Sequence, residues 1–340
     1  PTFSRALLIS VPFALISAAV EAMENYNWDG GLFSRYGVLV SSEVYGVITT
    51  LLGFLIVFRN SQAYARFWEA CSTVYQMQGL LLDAASSLVA FCAISEEKRN
   101  EVMAFRHTLV RLVSMLNSLM LAELENATDG QGVEVRLPVV DAAGLNAESL
   151  KALEHQVCKV EVVFQWIQQL AVMQVRKGVV DVPPPIATRA FQELGAGVLA
   201  YHEALKTAQV PFPSTYMATM VVLLCIHATI TPICMVPLVN ASGWAFVLTL
   251  VPIFTLWTLA LVGMDLDNPF RHSRTVDFAS LQCEQNERLV SLVVAAETKV
   301  PTVTRSAKSL ASLCTDARDA RRGSLVEPVV APGGRSRWFR

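Results

Sequence analysis

The side chains that could make and break bonds are scattered through this sequence. His202-Glu203 runs on into Ala204-Leu205-Lys206 and lacks the second histidine of a zinc-protease helix. The five histidines (His107, His155, His202, His227, His272) stand far apart. No nucleophile elbow, phosphate-binding loop or dinucleotide fingerprint occurs. Seven cysteines are placed singly, with no C-x-x-C and an odd total, so neither a disulfide framework nor a zinc site is expected. No catalytic residue is assigned, and the chain is not expected to be an enzyme. His227 alone stands out, because it falls inside an apolar run. An ionisable group there is a functional candidate; a neutral imidazole hydrogen-bonded between helices is the alternative.

The spacing that does suggest chemistry is non-covalent. Thr50, Phe54 and Phe58 stand at i, i+4 and i+8, on one face of a helix, and Glu43, seven residues before Thr50, points roughly the same way. A phenylalanine ring has a positive edge and a negative face. Rings turned edge-on would therefore stabilise an anion weakly and a cation not at all; the alternative is that Phe54 and Phe58 simply pack between helices. Arg59 and Arg66 follow and can add positive potential. The alternatives are an interface anchor for Arg59 and an ion pair with Glu69, at i+3, for Arg66.

Such a face needs long apolar helices to hold it. Of 340 residues, 53% are hydrophobic and only 16% charged, against a usual charged share of about 25%, so a membrane class is indicated. Runs 36–58, 216–239 and 243–264 reach the roughly 20 residues that cross a hydrocarbon core. Run 6–20 is shorter and contains Pro12, which suits a short or tilted span, an interfacial segment or a signal-like stretch. All but one of the 27 basic residues, Arg35, fall on one side of a four-span arrangement. By the positive-inside rule, that side and both termini are cytosolic or stromal. Net charge is −2 and no basic-aromatic patch occurs, so nucleic acid is not an expected partner.

Between the second and third spans, residues 61–93, 97–125 and 147–177 repeat apolar side chains at helical spacing and predict a bundle. Residues 126–144 read as a turn-rich insertion with room for a short hairpin, and 182–186, "VPPPI", as an extended stop before another helix. The chain thus divides into a module of residues 1–300, with non-membrane helical regions at 59–215 and 265–300, and a flexible tail, 301–340. Because the first residue is Pro1 rather than Met, a targeting peptide, a tag or a fused upstream domain is expected before it.

Three blocks resemble the bestrophin anion channels, in particular their bacterial and plastid branch. They are Phe58-Arg59 followed by Tyr64-Ala65-Arg66-Phe67-Trp68-Glu69, then "VPFPSTY" at 210–216, then "DLDNPF" at 265–270. The resemblance implies an all-α membrane fold of four transmembrane helices and a cytosolic bundle, assembled as a homopentameric ring in a lipid bilayer. It implies that the second span lines the axis, with Thr50, Phe54 and Phe58 as the pore neck and Glu43 at the outer mouth. Arg59 and Arg66 would supply vestibule electrostatics, and Ile186 the cytosolic aperture. Chloride would be the permeant ion, or another monovalent anion such as bicarbonate, with no cofactor required. "RHSRTVDF" replaces the acidic cluster of animal members, leaving Asp267 and Asp277 as a residual cation site and too few carboxylates for a calcium clasp. A thylakoid or bacterial inner membrane fits this branch better than an animal plasma membrane. A secondary anion transporter, with Pro12, Pro232 and Pro237 breaking its spans, and a non-conducting membrane scaffold are the competing readings.

Overall fold

A computed structural model of the chain describes residues 2–26, 42–126, 137–210, 212–239, 241–267, 270 and 276–297. The start of the second span, most of the 126–144 insertion, the Asn-Pro of "DLDNPF" and the tail 301–340 lie outside the described residues. Nine α-helices are described: α1 (Thr2–Asn25), α2 (Ser42–Ala90), α3 (Arg99–Asn126), α4 (Ala147–Glu154), α5 (Lys159–Arg176), α6 (Pro184–Gln209), α7 (Ser214–Met235), α8 (Ser242–Leu266) and α9 (Phe278–Glu297). Among the described residues the only β pairing is an isolated bridge between Cys92 and Val180.

Among the described residues, four helices are long and apolar enough to cross a membrane. The first is longer than run 6–20 suggests, because α1 continues through Pro12 for 24 residues. Its buried line is Ala6, Ser10, Ala14, Ser17 and Glu21, mostly small residues that let helices approach closely in lipid. α1 packs along α8, where the Thr249 hydroxyl donates to Ser17 Oγ at 2.9 Å. Pro232 and Pro252 also sit inside continuous helices, α7 and α8.

α2 contains no proline and runs unbroken for 49 residues, about 74 Å at 1.5 Å per residue. It joins two cores. In the membrane half, Leu52 and Ile56 meet Met220, Leu224 and Ala260. In the bundle half, Val74, Met77, Leu81 and Leu88 enter a larger core with residues of α3, α5, α6 and α9.

The bundle departs from expectation in two places. The expected helix 147–177 is two helices, α4 and α5, parted at His155–Cys158; Asn146 caps α4 by accepting from the Glu148 N–H at 3.0 Å. The proline run does not stay extended: Pro183 is the N-cap of α6, and Pro184 and Pro185 form its first turn, where their missing N–H groups cost nothing. Upstream, α5 ends at Gly178, whose φ of 64° is a left-handed setting that suits glycine. Lys98 donates to the carbonyls of Lys177 and Gly178 there. α9 is docked by amides: Asn117 donates to Gln282 Oε1, Gln282 to the Ser114 carbonyl, and Gln285 to the Gln78 carbonyl.

Candidate functional site

The exposed face of α2 gathers the predicted neck. Thr50 is exposed, and its hydroxyl is satisfied locally by the Gly46 carbonyl at 2.8 Å. Phe54 is 68% exposed and Phe58 47%, beside Val47, Leu51 and Val57 on the same side. The stripe does not stop at the end of the apolar run. Ser61, Tyr64, Ala65 and Trp68 continue it down the helix. Beyond Trp68 it borders a cleft of about 710 Å³ between α2 and the start of α9, lined by residues including Cys71, Tyr75, Asp277 and Glu284. Glu43 belongs to the first turn of α2, but its side chain lies outside the described residues.

Behind this face the contacts are polar and aromatic. Tyr216 donates to the Leu55 carbonyl at 2.9 Å. Its ring lies 6.4 Å from that of Phe58 and meets Phe212 edge-on at 5.5 Å. Higher on α2, the Tyr45 hydroxyl sits 3.3 Å from both His227 Nε2 and Thr231 Oγ1, and the Tyr45 and His227 rings stack at 5.5 Å. His227 is therefore a buried, hydrogen-bonded imidazole between helices.

The two arginines are differently placed from the expected open vestibule. Arg59 is fully buried, ion-paired with Asp267 and donating to the Ala260 carbonyl at 3.4 Å. Its guanidinium carbon lies 5.7 Å over the Phe212 ring. The neighbouring Asn60 donates to the Leu259 carbonyl at 3.1 Å. Arg66 engages neither solvent alone nor Glu69: it donates to the Thr207 and Val210 carbonyls at 3.2 and 2.6 Å. There it satisfies the open C-terminal end of α6, where positive charge is favoured.

Asp267 and Asp277 each have partners of their own. Asp267 is committed to Arg59, and burial raises its pKa above the ordinary value of 3.8 while Arg59 and Arg66 pull it down. Asp277 caps α9, accepting from the Ala279 and Ser280 N–H groups at 3.1 and 3.2 Å. No group of three or more potential metal-binding side chains occurs among the described residues. Ile186 lies in the first turn of α6 and is 49% exposed.

Asn60, Gly263 and Tyr45 were not singled out by sequence. An asparagine directly after Arg59 at the foot of an apolar helix was the available signal for Asn60. Nothing local marks Gly263, whose lack of a side chain matters only because Asn60 lies against it.

Fold and site together define an integral membrane protein with one long helix displaying an uncovered face through both of its halves. The chain belongs to the bacterial and fungal bestrophin family, whose profile matches residues 4–281. A voltage-dependent anion channel-forming protein of Mesorhizobium japonicum is 25% identical over 268 residues, covering 76% of this chain and 75% of that protein. A bacterial bestrophin homologue from Klebsiella pneumoniae shares the fold at a TM-score of 0.66 with 15% identity, over 85% of this chain and 97% of its own. A point mutant of the Klebsiella pneumoniae homologue gives a TM-score of 0.64 with 14% identity, over 86% and 98%.

Proposed function

We propose that this chain is one subunit of an anion-selective channel whose conduction path lies on the axis of a homopentamer. The observation that carries the reading is the stripe from Val47 to Trp68, uncovered within the subunit and unbroken from the apolar half of α2 into the bundle half. Where the helix leaves the hydrocarbon, a face turned only to water would carry polar side chains, yet Tyr64 and Trp68 stay exposed there. A face turned to an axis shared with other copies accounts for both halves. The family membership and the anion-channel-forming relative support the same reading.

In this arrangement Thr50, Phe54 and Phe58 form the neck. Ring edges favour anions, and dewetting of an apolar constriction penalises strongly hydrated ones. Weakly hydrated monovalent anions are preferred, with chloride and bicarbonate as candidate permeants. Ile186 at the tip of α6 forms a second constriction. Arg59 and Arg66 contribute little open positive charge, since each is already engaged inside the subunit. The basic side faces the cytosol or stroma of a bacterial inner membrane or thylakoid.

Single-channel recording of the purified protein in planar bilayers tests this. Unitary anion currents are expected, with larger conductance and weaker discrimination among anions for Phe54→Ala and Phe58→Ala. Anion flux without unitary steps would mean a carrier, and unchanged currents in both variants would remove these rings from the neck. A particle average without five-fold symmetry would refute the pentamer.

A further inference from the structure

The neck segment has almost nothing of its own to fix its direction. Residues 48–58 read "ITTLLGFLIVF". The hydroxyls of Thr49 and Thr50 are spent on carbonyls of the same helix, both at 2.8 Å. In lipid, burying one apolar side of such a helix is worth little more than burying another, because hydrocarbon tails are as apolar as leucine. A turn by one residue, about 100°, would carry Phe54 and Phe58 off the uncovered face and keep apolar contacts. Polar contacts to neighbouring helices must choose the angle.

Such contacts bracket the neck, and one lies within it, where Tyr216 of α7 donates to the Leu55 carbonyl. At one end Tyr45 meets His227 and Thr231 of α7. About 21 Å further along the helix, Arg59 and Asn60 bind α8 through the Ala260 and Leu259 carbonyls, and Arg59 pairs with Asp267. Gly263 makes room for this. A Cβ there would collide with Asn60 Oδ1 and stand 3.0 Å from Arg59 Nη1.

The geometry points to these two groups as polar latches: Tyr45 with His227 and Thr231, and Arg59 with Asn60, Asp267 and Gly263, positioning residues that set the rotational angle of the neck helix. This rests on the reading of that face as the conducting surface. A buried ion pair is a poor source of net stability, and its best-attested use is to specify register. The lower latch is built accordingly. Arg59 Nε, Asn60 Oδ1 and Asp267 Oδ1 are buried without partners among the described residues, an arrangement that forgoes stability. Because Phe58 and Arg59 are consecutive, holding Arg59 inward also fixes where Phe58 points. Arg59 acts on selectivity through that direction, without presenting its charge to passing ions.

The test uses the full chain with Asp267→Asn and Tyr45→Phe, each read in two ways. One is the reversal potential with nitrate on one side and chloride on the other. The other is the direction of the Phe58 ring relative to α8 in a single-particle reconstruction. Both variants are expected to turn Phe58 from its wild-type direction and to move the reversal potential toward zero. A conducting wild type whose variants keep both the potential and the Phe58 direction overturns the latches and leaves the channel reading intact. A wild type that conducts no anion defeats the channel reading, and the Phe58 direction then decides the latches alone: turned supports them, unturned overturns them. Tyr45→Phe removes a single hydroxyl, so it decides the matter if Asp267→Asn fails to assemble.

Discussion

In its membrane half α2 is covered along a narrow line of Leu52, Ile56 and Arg59, while in its bundle half nearly every turn sends a residue such as Val74, Met77, Leu81, Ala85 or Leu88 into the main core. The same helix is thus held by a large core at one end and by a small apolar core with a few directional contacts at the other. Packing gives stability and tolerates little change. Directional contacts give a defined angle while leaving a face free. α2 separates the two along its length, as the proposed channel role would require.

The contrast breaks most visibly through the core. Leu81→Ala, at a fully buried position, is expected to cost about 2–5 kcal/mol in thermal or denaturant unfolding in detergent. A loss no larger than that of a surface change would mean that the bundle is not where stability resides.

Gln282→Ala should come next. Gln282 is fully buried, donates to the Ser114 carbonyl and Asn286 Oδ1 at 3.0 Å, and accepts from Asn117 at 2.6 Å. Stranding those partners is expected to cost about 1–3 kcal/mol and to loosen α9, visible as faster amide exchange in residues 278–297. Exchange unchanged in α9 would show that its docking depends on apolar contacts alone.

Phe54→Ala sharpens the comparison from the other side. Its unfolding should shift by no more than about 0.5 kcal/mol, as for an exposed site, while single-channel conductance changes. A stability loss approaching that of Leu81→Ala would mean that the ring is packed rather than displayed.

The smallest effect on stability comes from Asp267. Its folded pKa is raised above 3.8 by burial, against the pull of Arg59 and Arg66. The folded state therefore holds this proton more tightly than the unfolded state. Its stabilising contribution is present below 3.8 and is lost as pH rises through the folded value. On acidification Asp267 takes up its proton before an ordinary aspartate would, weakening the hold on Arg59 without unfolding the chain on its own account. The nitrate–chloride reversal potential is expected to change in that range above pH 3.8 in wild type, and to be flat there in Asp267→Asn.

Much of this architecture was legible before any coordinates. Hydrophobic run lengths located the spans, because crossing hydrocarbon demands a minimum length of apolar helix. Residues 54–70 contain neither glycine nor proline, in keeping with a helix that does not stop at Arg59. The break between α4 and α5 was not legible: Gln156, Val157 and Cys158 include no glycine or proline, and apolar spacing continues across them. The first span was underestimated because its outer turns are polar, although α1 buries Glu21 at its far end. For Arg59 the sequence left open two roles, and its partner lies 208 residues away.

From its sequence alone this protein was committed to four apolar helices, a second helix with Thr50, Phe54 and Phe58 on one side, and a largely helical remainder that carries nearly all of the lysines and arginines. Those are properties of hydropathy, helical period and charge placement, each readable within a local window. Which side of the second helix is left uncovered was decided only by the tertiary structure. The polar contacts at the ends of that segment join partners distant in the chain, Tyr45 with His227 and Arg59 with Asp267. An apolar segment surrounded by lipid has no local preference among its faces.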